Sequence, residues 1–182
     1  MGTLRFGMTC SLDGRVTDAA GNIGWSAPSD EMHAFVNGRF RAARTLVMGR
    51  RMYATLRVWD DWPAGSAVEE EFAGLWAATD KIVCSDSLGS VSAPRTTLEP
   101  RLTVDRLAQI VAATDGVVEV SGPTTAADAL REGLVDEIDL FVLPQVLGGG
   151  LHALPEGMHT ALALVDSRRF ADGAVYLGYR RA

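Results

Sequence analysis

The sequence predicts an α/β protein, a three-layer α/β/α sandwich with a mostly parallel central sheet and an antiparallel C-terminal hairpin. Three observations predict it. Short apolar runs that suit buried strands alternate with segments of helical spacing as far as residue 143. Two of these runs end on small residues directly before a helix start, at Met48-Gly49-Arg50 and Val120-Ser121-Gly122. Residues 161–180 then give two strand patterns turned at Ala171-Asp172-Gly173.

The elements follow in order. Leu4 to Leu12 reads as a strand closed by the turn dipeptide Asp13-Gly14, with a second turn cluster from Asp18 to Gly24. A helix starts near Pro28-Ser29-Asp30-Glu31, with Ser29 as N-cap and Met32, Phe35, Val36 and Phe40 at helical spacing, and ends before Arg44. Thr45 to Met48 is a short buried strand, and Arg50 to Leu56 opens as a helix straight after Gly49. A loop from Val58 to Pro63 leads to a helix over Val68 to Ala78 and a strand over Lys81 to Cys84, closed by Ser85-Asp86-Ser87. After a polar stretch, Thr103 caps a helix over Val104 to Thr114. Strand Gly116 to Val120, helix Thr124 to Glu132 and strand Ile138 to Leu143 precede the hairpin. Glycines and prolines between 144 and 157 suggest a mobile connection, with Gly148-Gly149-Gly150 as its hinge.

The 182 residues suit one domain spanning 1–182, and 47% apolar with 22% charged residues is ordinary for a globular chain. A net charge of −6 disfavours nucleic acid and anionic membrane surfaces as partners. An anionic ligand must then be held by a few local cations and by backbone N–H groups. Cys10 and Cys84 sit in strand-like runs, which favours buried thiols over a disulfide and fits a reducing cytoplasm. Thr3 to Met8 begins as a strand without a charged leader or a long apolar run, so neither a signal peptide nor a membrane span is expected.

In open α/β sheets ligands lie beyond the carboxyl ends of strands, where helix N-termini present free N–H groups to anions. Two junctions qualify. Gly49 allows close backbone approach and Arg50 and Arg51 add charge-assisted contacts to a phosphate; the alternative is a solvated arginine pair. Ser121-Gly122-Pro123-Thr124-Thr125 opens the next helix with two hydroxyls in its first turn, as a phosphate cradle or merely as a cap. Ser85-Asp86-Ser87 suits either a ribose contact or an Asx or Ser turn. For proton chemistry the candidates are Asp13, Asp30 and Glu31, although acids at a helix start also serve the dipole. Asp136 and Glu137, between a helix and a strand, are better explained by capping and edge solvation. His33, His152 and His159 share no metal-ligand spacing, so no metal site is expected, and neither a nucleophile elbow nor a Walker motif is present.

Four stretches in this order carry a resemblance: Ser11-Leu12-Asp13-Gly14-Arg15-Val16, the helix start Pro28 to Asn37 with His33, Phe35 and Asn37, Val47 to Tyr53, and Gly133 to Gly150. The chain resembles the dihydrofolate-reductase-like superfamily, closest to the reductase domain of bacterial riboflavin-biosynthesis deaminase-reductases and its stand-alone relatives. The resemblance implies a nicotinamide cofactor, usually NADPH, that delivers hydride to a small pterin, pyrimidine or other conjugated heterocycle. It places Gly49, Arg50 and Arg51 on the adenosine side, Ser85 and Asp86 at the ribose or its 2′-phosphate, and Gly122, Pro123, Thr124 and Thr125 at the pyrophosphate. Thr9, Cys10 and the loop Asn22 to Trp25, with Ile23, fall near the nicotinamide. Asp30, in a Pro-x-Asp motif, is the first choice for assisting protonation, with Glu31 in reserve.

Three positions depart from the family pattern. Met52 stands where threonine is usual beside the phosphates, and Ser121 replaces the first glycine of a frequent Gly-Gly pair. Asp86 stands where arginine is common, which suits a free 2′-hydroxyl and keeps NADH open beside NADPH. Two other readings share the fold: a non-catalytic protein that binds a flavin or deazaflavin, and a dihydrofolate reductase proper. Relatives often dimerise, so a homodimer is also implied, with the Phe141-Val142-Leu143 strand serving either a contact or the core. Substrate choice rests with the loop Ala20 to Ser29 and with Trp25, Trp59 and Trp62.

Overall fold

The computed structural model describes residues 2–63 and 65–182. The elements run β1 (Thr3–Ser11), α1 (Asp30–Arg41), β2 (Ala43–Gly49), α2 (Arg50–Leu56), α3 (Ala67–Ala78), β3 (Asp80–Cys84), β4 (Thr96–Glu99), α4 (Val104–Ala113), β5 (Val117–Ser121), α5 (Pro123–Arg131), β6 (Glu137–Leu143), β7 (Leu162–Arg169) and β8 (Val175–Arg181). They form one eight-stranded sheet in the order β4-β3-β2-β5-β1-β6-β8-β7. The first six strands are parallel, and β8 runs antiparallel to both β6 and β7. This is the α/β sandwich with a C-terminal antiparallel hairpin that the sequence predicts.

The strand order explains where the helices lie. From β1 the chain steps through β2, β3 and β4 in one direction, then returns through β5 and β6. Right-handed crossovers put the helices of the outward and return paths on opposite faces. Phe40, Tyr53, Phe72 and Trp76 of α1, α2 and α3 accordingly pack on Leu46, Met48 and Val83. On the other face Leu107, Ile110, Ala126 and Leu130 of α4 and α5 pack on Leu4, Phe6, Val118 and Val120. A third cluster joins Met32 of α1 to Phe141, Phe170 and Tyr176. Phe141 and Leu143 are therefore core residues.

Local signals account for most boundaries. Ser29 and Thr103 cap α1 and α4, accepting from Met32 N–H at 3.4 Å and Arg106 N–H at 3.2 Å. The helix α5 begins one residue earlier than expected, because Pro123 takes its first position and Gly122, at φ +94°, is its N-cap. It ends in a Schellman-type closure, with Gly133 at φ +69° and Leu134 N–H bonded to Ala129 O at 2.9 Å. The strand β4 lies inside the stretch read as polar and irregular. It is a short edge strand whose single apolar residue, Leu98, gives too little alternation to see.

One side of the sheet holds charge in its interior. Even-numbered residues 4–10 of β1 join the core under α4 and α5, while Arg5, on the α1 face, is 1% exposed. Its guanidinium donates to Glu119 at 2.7 Å and to Arg39 O at 2.8 Å, and lies 3.7 Å from Asp139. Arg39 and the Tyr176 hydroxyl complete the Asp139 carboxylate at 2.8 Å each. Glu137 pairs with Arg39 and Arg180. Cationic and anionic partners alternate, so no charge in this cluster is left alone, as burial requires. On β3, buried Lys81 donates to Trp76 O at 2.6 Å and Thr79 O at 2.7 Å, closing the C-terminal end of α3. Burial pushes its ammonium down to about 8.

Candidate functional site

The crevice at the strand ends arises from unequal strand lengths. The strand β1 runs to Ser11, but its ladder with β5 covers only Thr3 to Phe6, because β5 stops at Ser121 and turns into α5. Beyond Phe6 the β1 edge on that side has no strand neighbour, while its other edge stays paired to β6 as far as Ser11. The gap falls between β5 and β1, where the direction of chain travel reverses, the position at which α/β sheets bind ligands. Thr9 and Cys10 lie on this free stretch. The Cys10 side chain enters the core on the α4 side, where burial pushes its thiol up to about 11, so what Cys10 offers a ligand is backbone.

The two glycine junctions meet at the same end. Met48 of β2 pairs with Ser121 of β5, so Gly49 and Gly122 end adjacent strands. A Cβ on Gly49 would come within 2.5 Å of Thr125 Oγ1, and one on Gly122 would contact both Thr125 and Met52. Gly122 also requires its positive φ, which side chains rarely adopt. Neither Thr124 nor Thr125 caps α5, so among the described residues both hydroxyls and the first-turn N–H groups are uncommitted. Arg50 and Arg51 are exposed and form no ion pair among the described residues. Met52 occupies the inner face of α2, where it closes the space beside Gly122 with carbon.

The third junction is already in use. Ser85 Oγ accepts the N–H groups of Ser87 and Leu88 at 3.2 and 3.1 Å. Asp86 accepts Arg101 N–H at 2.9 Å, with the Arg101 guanidinium 3.9 Å away. These are the turn roles the residues suit on their own.

The loops over the crevice are tied to each other. Asp13 accepts Ser11 Oγ at 2.6 Å and the N–H groups of Leu147 and Gly148 at 3.0 and 2.8 Å. Those donors hold its carboxyl well below the usual range, which makes Asp13 a fastening. Leu12 N–H bonds Gln145 O and Val16 N–H bonds Leu151 O, each at 2.7 Å. Gly150 lies so close that a Cβ would fall 1.9 Å from Thr17 O. Gly149 and Gly150 thus pack closely against the first loop, at the place where the sequence suggested a hinge. Ile23, 40% exposed, projects from that loop, and Asp18 folds it by accepting Ala20 and Asn22 N–H groups.

The helix α1 presents its two acids differently. Glu31 accepts Ala171 N–H at 2.9 Å and Arg168 at 3.0 Å, contacts that lower its pKa and latch α1 to the hairpin turn. Asp30 is exposed at the first helical position and forms no ion pair among the described residues. One turn on, the His33 ring lies 5.7 Å from Trp59 and 5.5 Å from Phe72, and Trp59 stacks on Trp62 at 4.2 Å. Burial depresses the His33 pKa against the opposing charges of Glu69, Asp30 and Glu71. This aromatic wall beside Asp30 escapes the sequence, because His33, Trp59 and Phe72 come from three elements. Asp136 and Glu137 are structural: Asp136 accepts Leu4 N–H at 2.9 Å and Glu137 takes the arginines described above.

No helix among the described residues is long and apolar enough to cross a membrane. The model of the RibD C-terminal domain matches residues 3–176. No curated protein matches the chain. Among solved structures, a putative riboflavin biosynthesis protein from Shewanella sp. PV-4 is similar with a TM-score of 0.76 at 24% identity over 99% of both chains. A diaminohydroxyphosphoribosylaminopyrimidine deaminase/5-amino-6-(5-phosphoribosylamino)uracil reductase from Thermotoga maritima gives 0.71 at 13% identity, over all of this chain and 57% of its own. Dihydrofolate reductase from Enterococcus faecalis, complexed with NADP(H), gives 0.61 at 13% identity over 98% and 96% of the two chains. The chain belongs to the RibD C-terminal domain family and shares the fold of dihydrofolate reductase.

Proposed function

We propose that this protein is a nicotinamide-dependent reductase acting on a small conjugated heterocycle, with a pyrimidine as the substrate class the family favours. One observation carries the reading: the free edge of β1 lies at the switch point beside two glycine-opened helix starts whose donors are unused among the described residues. The residues present fit a dinucleotide. Gly122, Thr124 and Thr125 would take its pyrophosphate, Gly49, Arg50 and Arg51 its adenosine side, and the Thr9–Cys10 backbone with Ile23 its nicotinamide. When bound, the cofactor supplies the hydride.

The chain's own part is to orient the substrate and provide a proton. Asp30 takes the proton role, because Glu31 is held by Arg168 and Ala171. Trp59 and Trp62 offer a planar ring a stacking surface near that acid. NADPH is the cofactor proposed: Arg50, Arg51 and Arg101 supply positive charge at the ends of β2 and β4, while Asp86, paired with Arg101, keeps NADH in competition. The free, buried thiols fit a cytoplasmic enzyme. The test is transfer of label from 4-deuterated NADPH to a panel of pyrimidines and pterins. Deuterium in a reduced product supports the reading, and a protein that binds NADPH yet reduces none of the panel contradicts it.

A further inference from the structure

The chain changes sign along one short stretch. Gly49-Arg50-Arg51 is basic, but residues 57–71 set Arg57 against Asp60, Asp61, Glu69, Glu70 and Glu71. This acidic stretch carries Trp59 and Trp62 at the turn Arg57–Asp61 and then opens α3. The cations near it are occupied: Arg57 lies 6.0 Å from the ring of Tyr53, and Arg41 is bound to Glu71. Behind the rings the stretch is fixed in place. Buried Asn37 of α1 donates to Val68 O at 2.9 Å and to Glu71 at 2.8 Å. Asp60 accepts the Nε1–H of buried Trp76 at 2.7 Å, which sets the turn that bears Trp59. The Trp59 ring meets Phe72 at 4.9 Å as well as His33 and Trp62. His33 is only 9% exposed, yet its ring nitrogens make no hydrogen bond among the described residues, and the buried Nε1–H of Trp62 has no partner there either. Buried polar groups without partners in the chain are groups a ligand can satisfy. Burial holds the His33 ring neutral at pH 7, so it does not offset Asp30, Glu69 and Glu71 around it.

We propose that the substrate ring stacked on Trp59 and Trp62 is unphosphorylated, an uncharged or cationic free base or nucleoside, and that the acidic wall excludes the phosphate ester of the same ring. The proposal rests on the reductase reading, which puts the substrate beside Asp30. Indole faces accept an uncharged planar ring and hold a cationic one better. The carboxylates act over a longer range. A phosphate ester carries a charge of about −2 and meets like charge from Asp30, Asp61, Glu69 and Glu70. Arg50 and Arg51 cannot repay that cost, because the nucleotide takes them. The site thus selects by repulsion as well as by contact.

Calorimetric titration of the full chain tests it, with cytidine and cytidine 5′-monophosphate and with 6-hydroxymethylpterin and its phosphate as probes, each in about 1 mM NADPH. The unphosphorylated member of at least one pair is expected to bind, and its ester about tenfold more weakly at low salt, a gap that closes near about 1 M salt. Trp59→Leu should abolish this binding, which assigns it to the wall. Asp61 and Glu70 are exposed and make no hydrogen bond or ion pair among the described residues. The double variant Asp61→Lys, Glu70→Lys should therefore stay folded, as circular dichroism melting checks, and bring ester and parent close to parity. An ester that binds through Trp59 as tightly as its parent, a ratio unchanged in the double variant, or no binding of either unphosphorylated probe at about 10 mM overturns the proposal. A blank titration with NADPH separates the two readings. NADPH that fails to bind removes the reductase reading, whereas NADPH that binds beside a wall indifferent to the ester removes this proposal alone.

Discussion

β1 meets the α1 face of the sheet in two different ways. Near the strand start Arg5 is sealed, with Glu119, Asp139, Arg39 and Tyr176 satisfying every charge it brings inside. Near the strand end Thr9 adjoins a gap where β5 has stopped, and the Thr124 and Thr125 hydroxyls, with Arg50 and Arg51, have no partner among the described residues. The two regions share a strand and a face. They differ in whether the chain supplies the complement to its own polar groups, which separates what maintains the fold from what is offered to a ligand.

That contrast can be broken from either side. The largest effect is expected at the closed end: Arg5→Met strands Glu119 and Asp139 and should cost about 3–5 kcal/mol in denaturant unfolding. Nucleotide affinity of the folded fraction should stay unchanged. At the open end Asp30→Asn should lower reduction about a hundredfold, the scale of a lost general acid, while the melting temperature moves little. Gly49→Ala should weaken NADPH binding about tenfold, because the new methyl occupies the space of Thr125 Oγ1; a calorimetric titration checks it.

A smaller effect is expected from pH. The folded pKa of His33 lies below the ordinary imidazole value of 6.5, so between that value and its folded pKa the unfolded chain binds the proton and the folded chain does not. Stability from His33 is present in full above pH 6.5 and is lost as pH falls through its lowered folded pKa. His33→Phe should flatten that slope in melts recorded from about pH 7 to 5. The smallest effect is selectivity: Asp86→Arg should move the NADPH to NADH affinity ratio several-fold toward NADPH, and an unchanged ratio removes Asp86 from discrimination.

The open end was legible in the sequence to the extent that its parts are local. Gly49-Arg50-Arg51 and Gly122-Pro123-Thr124-Thr125 each announce a strand end and a helix start within a few residues, and their proximity follows from strand order. The closed end was not legible. Arg5, Glu119 and Asp139 interrupt apolar runs singly, and only cross-strand register, Arg5 beside Glu119 and Gly7 beside Asp139, makes them a cluster. Ser85 and Asp86 mark the opposite limit: a polar turn after a strand has the same composition whether its groups bond a ligand or, as here, their own backbone and Arg101. Gly149 and Gly150 mislead for a similar reason, since glycine serves close packing as well as freedom.

The most direct test of the central claim is a fluorescence titration of the wild-type protein with NADPH and, separately, NADH. Saturable binding of at least one, with a dissociation constant below about 1 mM, is predicted. No saturation by either nucleotide at millimolar concentration would contradict a dinucleotide site at the β1–β5 gap.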